Sequence, residues 1–335
     1  MQLGEIMLEG KTIAVVVPAY QEEQQIPKVL KSMPGFVDWI VVVDDASTDH
    51  TPEVVERFAS RDPRVVLLRH ERNKGVGAAI ATGYRWARDK GVDVTAVMAG
   101  DFQMDPEDLP KVVLPVVRGW ADYVKGNRLI TGEAFRRIPW VRLMGNSVLS
   151  LLTKIASGYW NVADSQCGYT AIGLKVLRRL PLEEIYPRYG VPNDLLVKLN
   201  IAGARVMDLP VKPVYNVGER SKMNLLKVVF TISLLLMRLF FTRLVRKYVI
   251  NDFHPLVFFY LLSMILVPVG LGIGIAIIVY NTSLFGPPMP LETGWLILCA
   301  LCLITGMQSA FFAMFFDMEA NRHLYVFHIN YEELL

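Results

Sequence analysis

Acidic side chains fall at two places where short apolar runs end in this 335-residue chain. Asp44 and Asp45 follow Ile40–Val43, and Asp101 and Gln103 follow Val94–Met98. The runs are rich in β-branched residues and too short for helices, so they read as buried parallel strands. Open α/β sheets bind ligands beyond the carboxyl ends of their strands, which places these acids at the mouth of a site. An acid and an amide oxygen at alternate positions suit a hard cation, Mg2+ or Mn2+, that bridges to substrate phosphates and keeps part of its water. Cations supply the complementary chemistry. Arg128 follows the run Ala121–Lys125, Arg136, Arg137 and Arg142 surround Pro139 and Trp140, and Arg220 and Lys222 lie in a glycine-containing loop. The middle group reads either as a solvated face or as a surface on lipid headgroups.

The elements that must position these residues alternate. Strands are expected at Thr12–Val17, Ile40–Val43, Val65–Leu68, Val94–Met98, Ala121–Lys125 and Val206–Leu209. Between them, polar starts and apolar periodicity predict helices, one carrying Ile26, Val29 and Leu30 inward and another capped by Ser47, Thr48 or Asp49 with Pro52 in its first turn. That capping alone would explain the Asp44–Asp49 stretch without any chemistry, and the two readings weigh about equally. Asn73-Lys74-Gly75-Val76-Gly77 lacks the third glycine of a dinucleotide fingerprint and follows the third strand, so its small residues are expected to admit a phosphate or a neighbouring strand at a helix N-terminus. Asp105 before Pro106 reads as a helix cap, Asp164–Thr170 as a polar loop, and Asp194 as a first-turn helix acid. Strand and helix in alternation predict a mostly parallel sheet with helices on both faces.

Composition divides the chain. Hydrophobic residues make up 53%, and the excess lies in the last third. A net charge of +3 gives no argument for nucleic acid. The three cysteines, Cys167, Cys299 and Cys302, form neither a disulfide framework nor a zinc spacing. The first ten residues carry acids and no apolar core, so no signal peptide is expected there. Leu225–Ile250 mixes apolar residues with Lys227, Arg238, Arg243, Arg246 and Lys247, which favours helices lying in a membrane interface. Pro255–Tyr280 and Thr293–Phe316 are uncharged and about long enough to cross a bilayer as a hairpin. Arg243, Arg246, Lys247 and Arg322 flank one side, which is therefore expected to be cytoplasmic. The expected organisation is a cytoplasmic catalytic domain over 1–222, interfacial helices over 223–252, and a multi-pass membrane hairpin with a short tail over 253–335.

Four segments in order, Pro18-Ala19-Tyr20-Gln21-Glu22, Val43-Asp44-Asp45-Ala46-Ser47, Asp101-Phe102-Gln103 and Gly126-Asn127-Arg128, resemble inverting family 2 glycosyltransferases. The resemblance covers roughly Lys11 to Lys222 and is nearest to the polyprenyl-phosphate glycosyltransferases, the group containing dolichol-phosphate mannose synthase. It implies a GT-A type sheet domain, a nucleotide-sugar donor, a polyprenyl phosphate acceptor and Mg2+ or Mn2+. Pro18, Tyr20, Glu22, Val43 and Asp45 would hold the base and ribose, with Lys74 also on the nucleotide-sugar. Asp101 and Gln103 would hold the metal, and Asp101 and Arg128 would act in catalysis. Arg128, Arg142, Asn146, Arg220 and Lys222 would receive the lipid phosphate. Ala99 stands where the family usually has an acid, so one metal ligand is missing. A phosphate acceptor is already anionic and needs no general base. A neutral lipid or polysaccharide acceptor would need one, with Asp194 the candidate. A non-catalytic nucleotide-sugar-binding membrane subunit is the reading from another class. Donor base, sugar and homo-oligomerisation are left open.

Overall fold

The β-branched runs become strands because their side chains alternate between two apolar layers, which neither a helix nor a solvated loop allows. The computed structural model describes residues 8–129, 140–212, 225–281 and 293–326. In chain order the elements are β1 (Ile13–Ala19), α1 (Ile26–Lys31), β2 (Trp39–Asp44), α2 (Thr51–Ala59), β3 (Val65–Arg69), α3 (Val76–Lys90), β4 (Val94–Val97), α4 (Leu109–Val117), β5 (Tyr123–Asn127), α5 (Trp140–Ser157), β6 (Thr170–Gly173), α6 (Leu174–Leu177), α7 (Val191–Ile201), β7 (Val206–Pro210), α8 (Leu225–Val245), α9 (Leu256–Asn281) and α10 (Thr293–Asn321).

Seven strands form one sheet in the order β3-β2-β1-β4-β6-β5-β7. All run the same way except β6, which is antiparallel to both β4 and β5. The mostly parallel sheet was expected; the reversed strand was not. Ile13, Val15, Val17, Ile40 and Val42 face one core with Val112 and Val113 of α4. Ala14, Val16, Val41 and Val43 face the other with Tyr84 of α3 and Leu195 of α7. Each such valine, removed from water on its face, contributes about 1.5–3 kcal/mol. Helices on both faces follow, as the sequence predicts.

The chain forms two compact units, 1–241 with 323–335 and 242–322. In the second, α9 and α10 are 26 and 29 residues long. At 1.5 Å per residue each exceeds the roughly 30 Å of a bilayer's hydrocarbon core, and both are apolar enough to cross a membrane. Arg243, one of the cations expected to flank the spans, is buried, with a side chain 1% exposed. Its Nη1 and Nη2 donate to Asp317 Oδ1 and Oδ2 at 2.7 and 2.8 Å. Tyr248 Oη donates to Asp317 Oδ1 at 2.6 Å, and Lys247 Nζ donates to Asn321 Oδ1 at 2.6 Å. Asp317 lies in α10, which continues past the expected end of the second apolar run. A buried guanidinium is tolerated when a carboxylate neutralises it and uses its fork, a pairing that the apolar run Thr293–Phe316 does not announce.

Candidate active site

Strands β1, β2 and β4 end side by side, and the residues just beyond them bend sharply. Gln21, Ala46 and Phe102 adopt φ of 59°, 60° and 60°, three of the four positive φ values among described non-glycine residues. Such conformations cost about 1–3 kcal/mol each and gather at functional sites. Their loops are tied together. Asp45 N–H donates to Ala19 O at 2.9 Å, Gly100 N–H to Pro18 O at 3.1 Å, Gln21 N–H to Ser47 Oγ at 2.9 Å, and Glu22 N–H to Thr51 Oγ1 at 2.8 Å. Pro18 and Val43 are register partners at the ends of β1 and β2. The structure therefore brings Pro18, Tyr20, Glu22, Val43, Asp45 and Asp101 to one edge of the sheet.

Asp45 has a more specific task than the sequence showed. One oxygen accepts from Lys74 N–H at 2.8 Å and lies 2.7 Å from His70 Nδ1, while the other accepts from Gly75 N–H at 2.7 Å. His70 Nε2 lies 3.0 Å from Thr82 Oγ1 on α3. Asp45 thus fixes the loop before α3. Gly75, at φ +98°, turns its N–H toward it. The small residues at 75 and 77 admit the backbone of the 186–187 segment, since a Cβ on Gly77 would lie 2.0 Å from Tyr186 O. Ala46, Ser47, Arg69, His70 and Glu71 line a cavity of about 420 Å3 at the ends of β2 and β3, a size typical of small-molecule sites. Sequence reasoning missed Arg69, His70 and Glu71 because no motif marks them.

Asp101 is half-buried, and Gln103 N–H donates to its Oδ1 at 3.1 Å. Burial raises its pKa, with backbone hydrogen bonds opposing and, among the described residues, no cation offsetting it. A carboxylate in that state gains most from a bound cation. Among the described residues no three His, Cys, Asp or Glu cluster as a metal site. Asp101 with Gln103 fits a hard cation that completes its shell with phosphate oxygens and water, and does not fit one needing a full protein cage. Asp105 caps the following turn as expected, its Oδ1 accepting Glu107 N–H at 3.0 Å.

The reversed strand β6 brings a second loop to this edge. Val97 of β4 and Lys125 of β5 are both in register with Thr170, so residues 163–169 run between the end of β4 and Arg128. Tyr169 Oη donates to Asp105 O at 3.0 Å. Asp164 accepts from Arg128 Nε at 2.8 Å and Nη2 at 3.1 Å. Arg128's charge and hydrogen bonds hold the Asp164 carboxyl below the usual range, against burial, which is the largest influence and acts the other way. Arg142 and Asn146 belong to α5, but their side chains lie outside the described residues, as do Arg136, Arg137, Arg220 and Lys222. Asp194 is buried, ion-paired to Lys198 and accepts Tyr186 N–H at 2.8 Å. It lies in the first turn of α7, as expected, with its carboxylate engaged by Lys198.

Below the loop lies a buried charge group. Lys125 Nζ donates to Cys167 O, and Asp208 Oδ2 accepts from Asn127 Nδ2 at 2.8 Å and Ala163 N–H at 2.9 Å. Asp208 Oδ1 finds no hydrogen-bond partner among the described residues. Burial pushes Asp208 up to about 6. A carboxyl raised above its unfolded value near 3.8 holds its proton longer in the folded state, so the stability it confers is full below pH 4 and is lost as pH rises to about 6. A rise of about two pH units corresponds to about 3 kcal/mol. Asp208→Asn is expected to remove this slope, gaining on the native protein between pH 4.5 and pH 7 in thermal unfolding.

Residues 14–181 match the family model described as Glycosyl transferase family 2. The chain is 29% identical over 221 residues to UDP-N-acetylglucosamine--dolichyl-phosphate N-acetylglucosaminyltransferase of Methanococcus voltae, covering 62% of this chain and 88% of that protein. It is 32% identical over 215 residues to undecaprenyl-phosphate mannosyltransferase of Micrococcus luteus, covering 63% and 87%. Among solved structures, glucosyl-3-phosphoglycerate synthase of Mycobacterium tuberculosis with Mn2+ and UDP shares the fold, with TM-score 0.51 and 23% identity over 70% of this chain and 80% of that one.

Proposed function

Since the chain belongs to glycosyl transferase family 2, we propose that it transfers a hexose from a nucleotide-sugar to a polyprenyl phosphate. A phosphate oxygen of the lipid attacks the anomeric carbon. The bond from that carbon to the diphosphate breaks, and its electron pair leaves with the nucleoside diphosphate. A single displacement inverts the configuration. The observation that carries this reading is that residues 163–169 tie the segment after β4, through Tyr169 Oη on Asp105 O, to Arg128, through Asp164. Relatives named for transfer to dolichyl and undecaprenyl phosphate support the acceptor class.

Pro18, Tyr20, Glu22 and Val43 border the base and ribose, and Asp45 shapes that side by holding Lys74 and Gly75. Asp101 and Gln103 would hold a divalent ion, whose charge would offset the negative charge gathering on the leaving diphosphate. Arg128, with Arg142, Asn146, Arg220 and Lys222, receives the acceptor phosphate, for which a planar guanidinium fork is suited. The acceptor is anionic before reaction, so the engagement of Asp194 by Lys198 costs nothing in this scheme. Helices α9 and α10 anchor the protein as a membrane hairpin, α8 lies in the interface, and the catalytic unit faces the cytoplasm.

The test is a screen of radiolabelled nucleotide-sugars against a polyprenyl phosphate and a polyprenol, with and without Mn2+. Label is expected in the lipid phosphate from one donor, and only with the ion. Label in the alcohol alone would overturn the acceptor assignment.

A further inference from the structure

We propose that Asp164 is a positioning residue for the acceptor: it holds Arg128 so that the guanidinium presents its outer edge to the oxygens of an anionic lipid phosphate. The inference rests on the reading of Arg128 as an acceptor-phosphate cation. The Asp164 side chain is 6% exposed and that of Arg128 is 40% exposed, so a buried carboxylate grips a half-exposed cation from below. Asp164 grips one edge of the guanidinium. Asp164 takes the Nε and Nη2 hydrogens, and its Oδ2 also accepts Arg128 N–H at 3.3 Å. A guanidinium has a second two-nitrogen edge, Nη1–Nη2, whose geometry matches a phosphate. Lysine has no such pair of edges and cannot be held by one anion while it binds another in a fixed plane.

Asp164 is itself held. Gln166 N–H donates to its Oδ1 at 3.2 Å. The loop around it is fixed from the sheet by Lys125 on Cys167 O and by Asp208 on Ala163 N–H. Burying this many charges is a poor way to stabilise a fold, since desolvation offsets much of their attraction. It is an effective way to fix an orientation before a ligand arrives, which lowers the ordering cost of binding. The pair's main effect is therefore expected on acceptor capture.

The experiment uses the full chain in detergent, assayed with a nucleotide-sugar and a polyprenyl phosphate. Asp164→Asn keeps the shape and loses the charge. It is expected to raise the acceptor KM by about tenfold, on the scale of a small misplacement of a binding group, with the donor KM unchanged. Asp164→Glu, which keeps the charge, is expected to fall between, and gives the same comparison if the Asn variant does not fold. In an Arg128→Lys background Asp164→Asn is expected to add almost nothing, because two residues acting through one contact are not additive. Multiplicative losses in the double variant, or equal rises in both KM values, would make Asp164 a loop-holding residue and overturn the proposal. An unchanged acceptor KM in Asp164→Asn beside a raised one in Arg128→Lys would overturn the proposal alone. An unchanged acceptor KM in Arg128→Lys would overturn the acceptor reading and the proposal with it.

Discussion

Asp101→Ala is expected to lower sugar transfer by about 10²–10³-fold, the scale on which removal of a single preorganised electrostatic group acts. The argument starts from the loop. Phe102 at φ 60° turns the chain so that Asp101 and Gln103 come from alternate positions, with Gln103 N–H on Asp101 Oδ1. Burial leaves the Asp101 carboxylate in want of a cation, and no described Lys or Arg offsets its charge. Ala99 supplies no second acid. Asp101 is therefore the sole anionic protein ligand proposed for the ion, and Gln103 alone is a weak neutral donor. Asp101→Asn separates charge from shape, because its amide oxygen still accepts from Gln103 N–H. The Asn variant is expected to be nearly as impaired as the Ala variant, with half-saturation by Mn2+ shifted to higher concentration and nucleotide binding without metal retained. Undiminished turnover in Asp101→Ala would remove the residue from the mechanism.

Asp317→Ala is expected to destabilise the second unit by about 3–5 kcal/mol, because removing one partner leaves a buried charge uncompensated. Arg243 and Asp317 are 1% and 0% exposed and joined by two hydrogen bonds of 2.7 and 2.8 Å. The loss would spread. Tyr248 Oη would lose its acceptor Asp317 Oδ1, and Asn321 Nδ2 its contact at 3.0 Å to the same oxygen. Arg243→Met combined with Asp317→Leu replaces the pair by apolar groups and is expected to recover most of the stability, since an intact buried ion pair is worth little more than a hydrophobic one. Thermal unfolding of the purified chain in detergent measures both. A double variant as unstable as Asp317→Ala would show that the carboxylate serves the packing of Tyr248 and Asn321 rather than the neutralisation of Arg243.

Several local expectations hold because local rules produce them. Ile40–Val43 is a strand on β-branching and length alone, and Asp44–Asp45 follow it at the ligand edge. Pro52 does lie in the first turn of α2 and Asp105 does cap its turn, but the expected cap of α2 by Ser47, Thr48 or Asp49 is corrected: His50 is the N-cap and caps with no side-chain bond, while Asp49 accepts from Thr51 N–H at 3.1 Å. Thr170–Gly173 was legible only as a polar loop running into apolar residues. Its reversal depends on the neighbours β4 and β5, whose paired residues lie 73 to 79 and 45 to 49 positions earlier along the chain. The 75–79 segment shows the same limit: glycines signal a close approach, but only the fold says that the approaching group is the backbone at Tyr186 and Pro187.

The sequence by itself determined the strands, the acids at their ends, and the two long apolar helices, since each follows from residues that are neighbours along the chain. Only the tertiary structure decided that Asp45 organises the start of α3, that Asp164 holds Arg128 across 36 positions, and that Asp317 neutralises Arg243 across 74. Hydrophobic period and capping chemistry are local signals. The pairing of charges depends on which strands and helices the topology sets side by side, and burial then makes each of those charges require its partner.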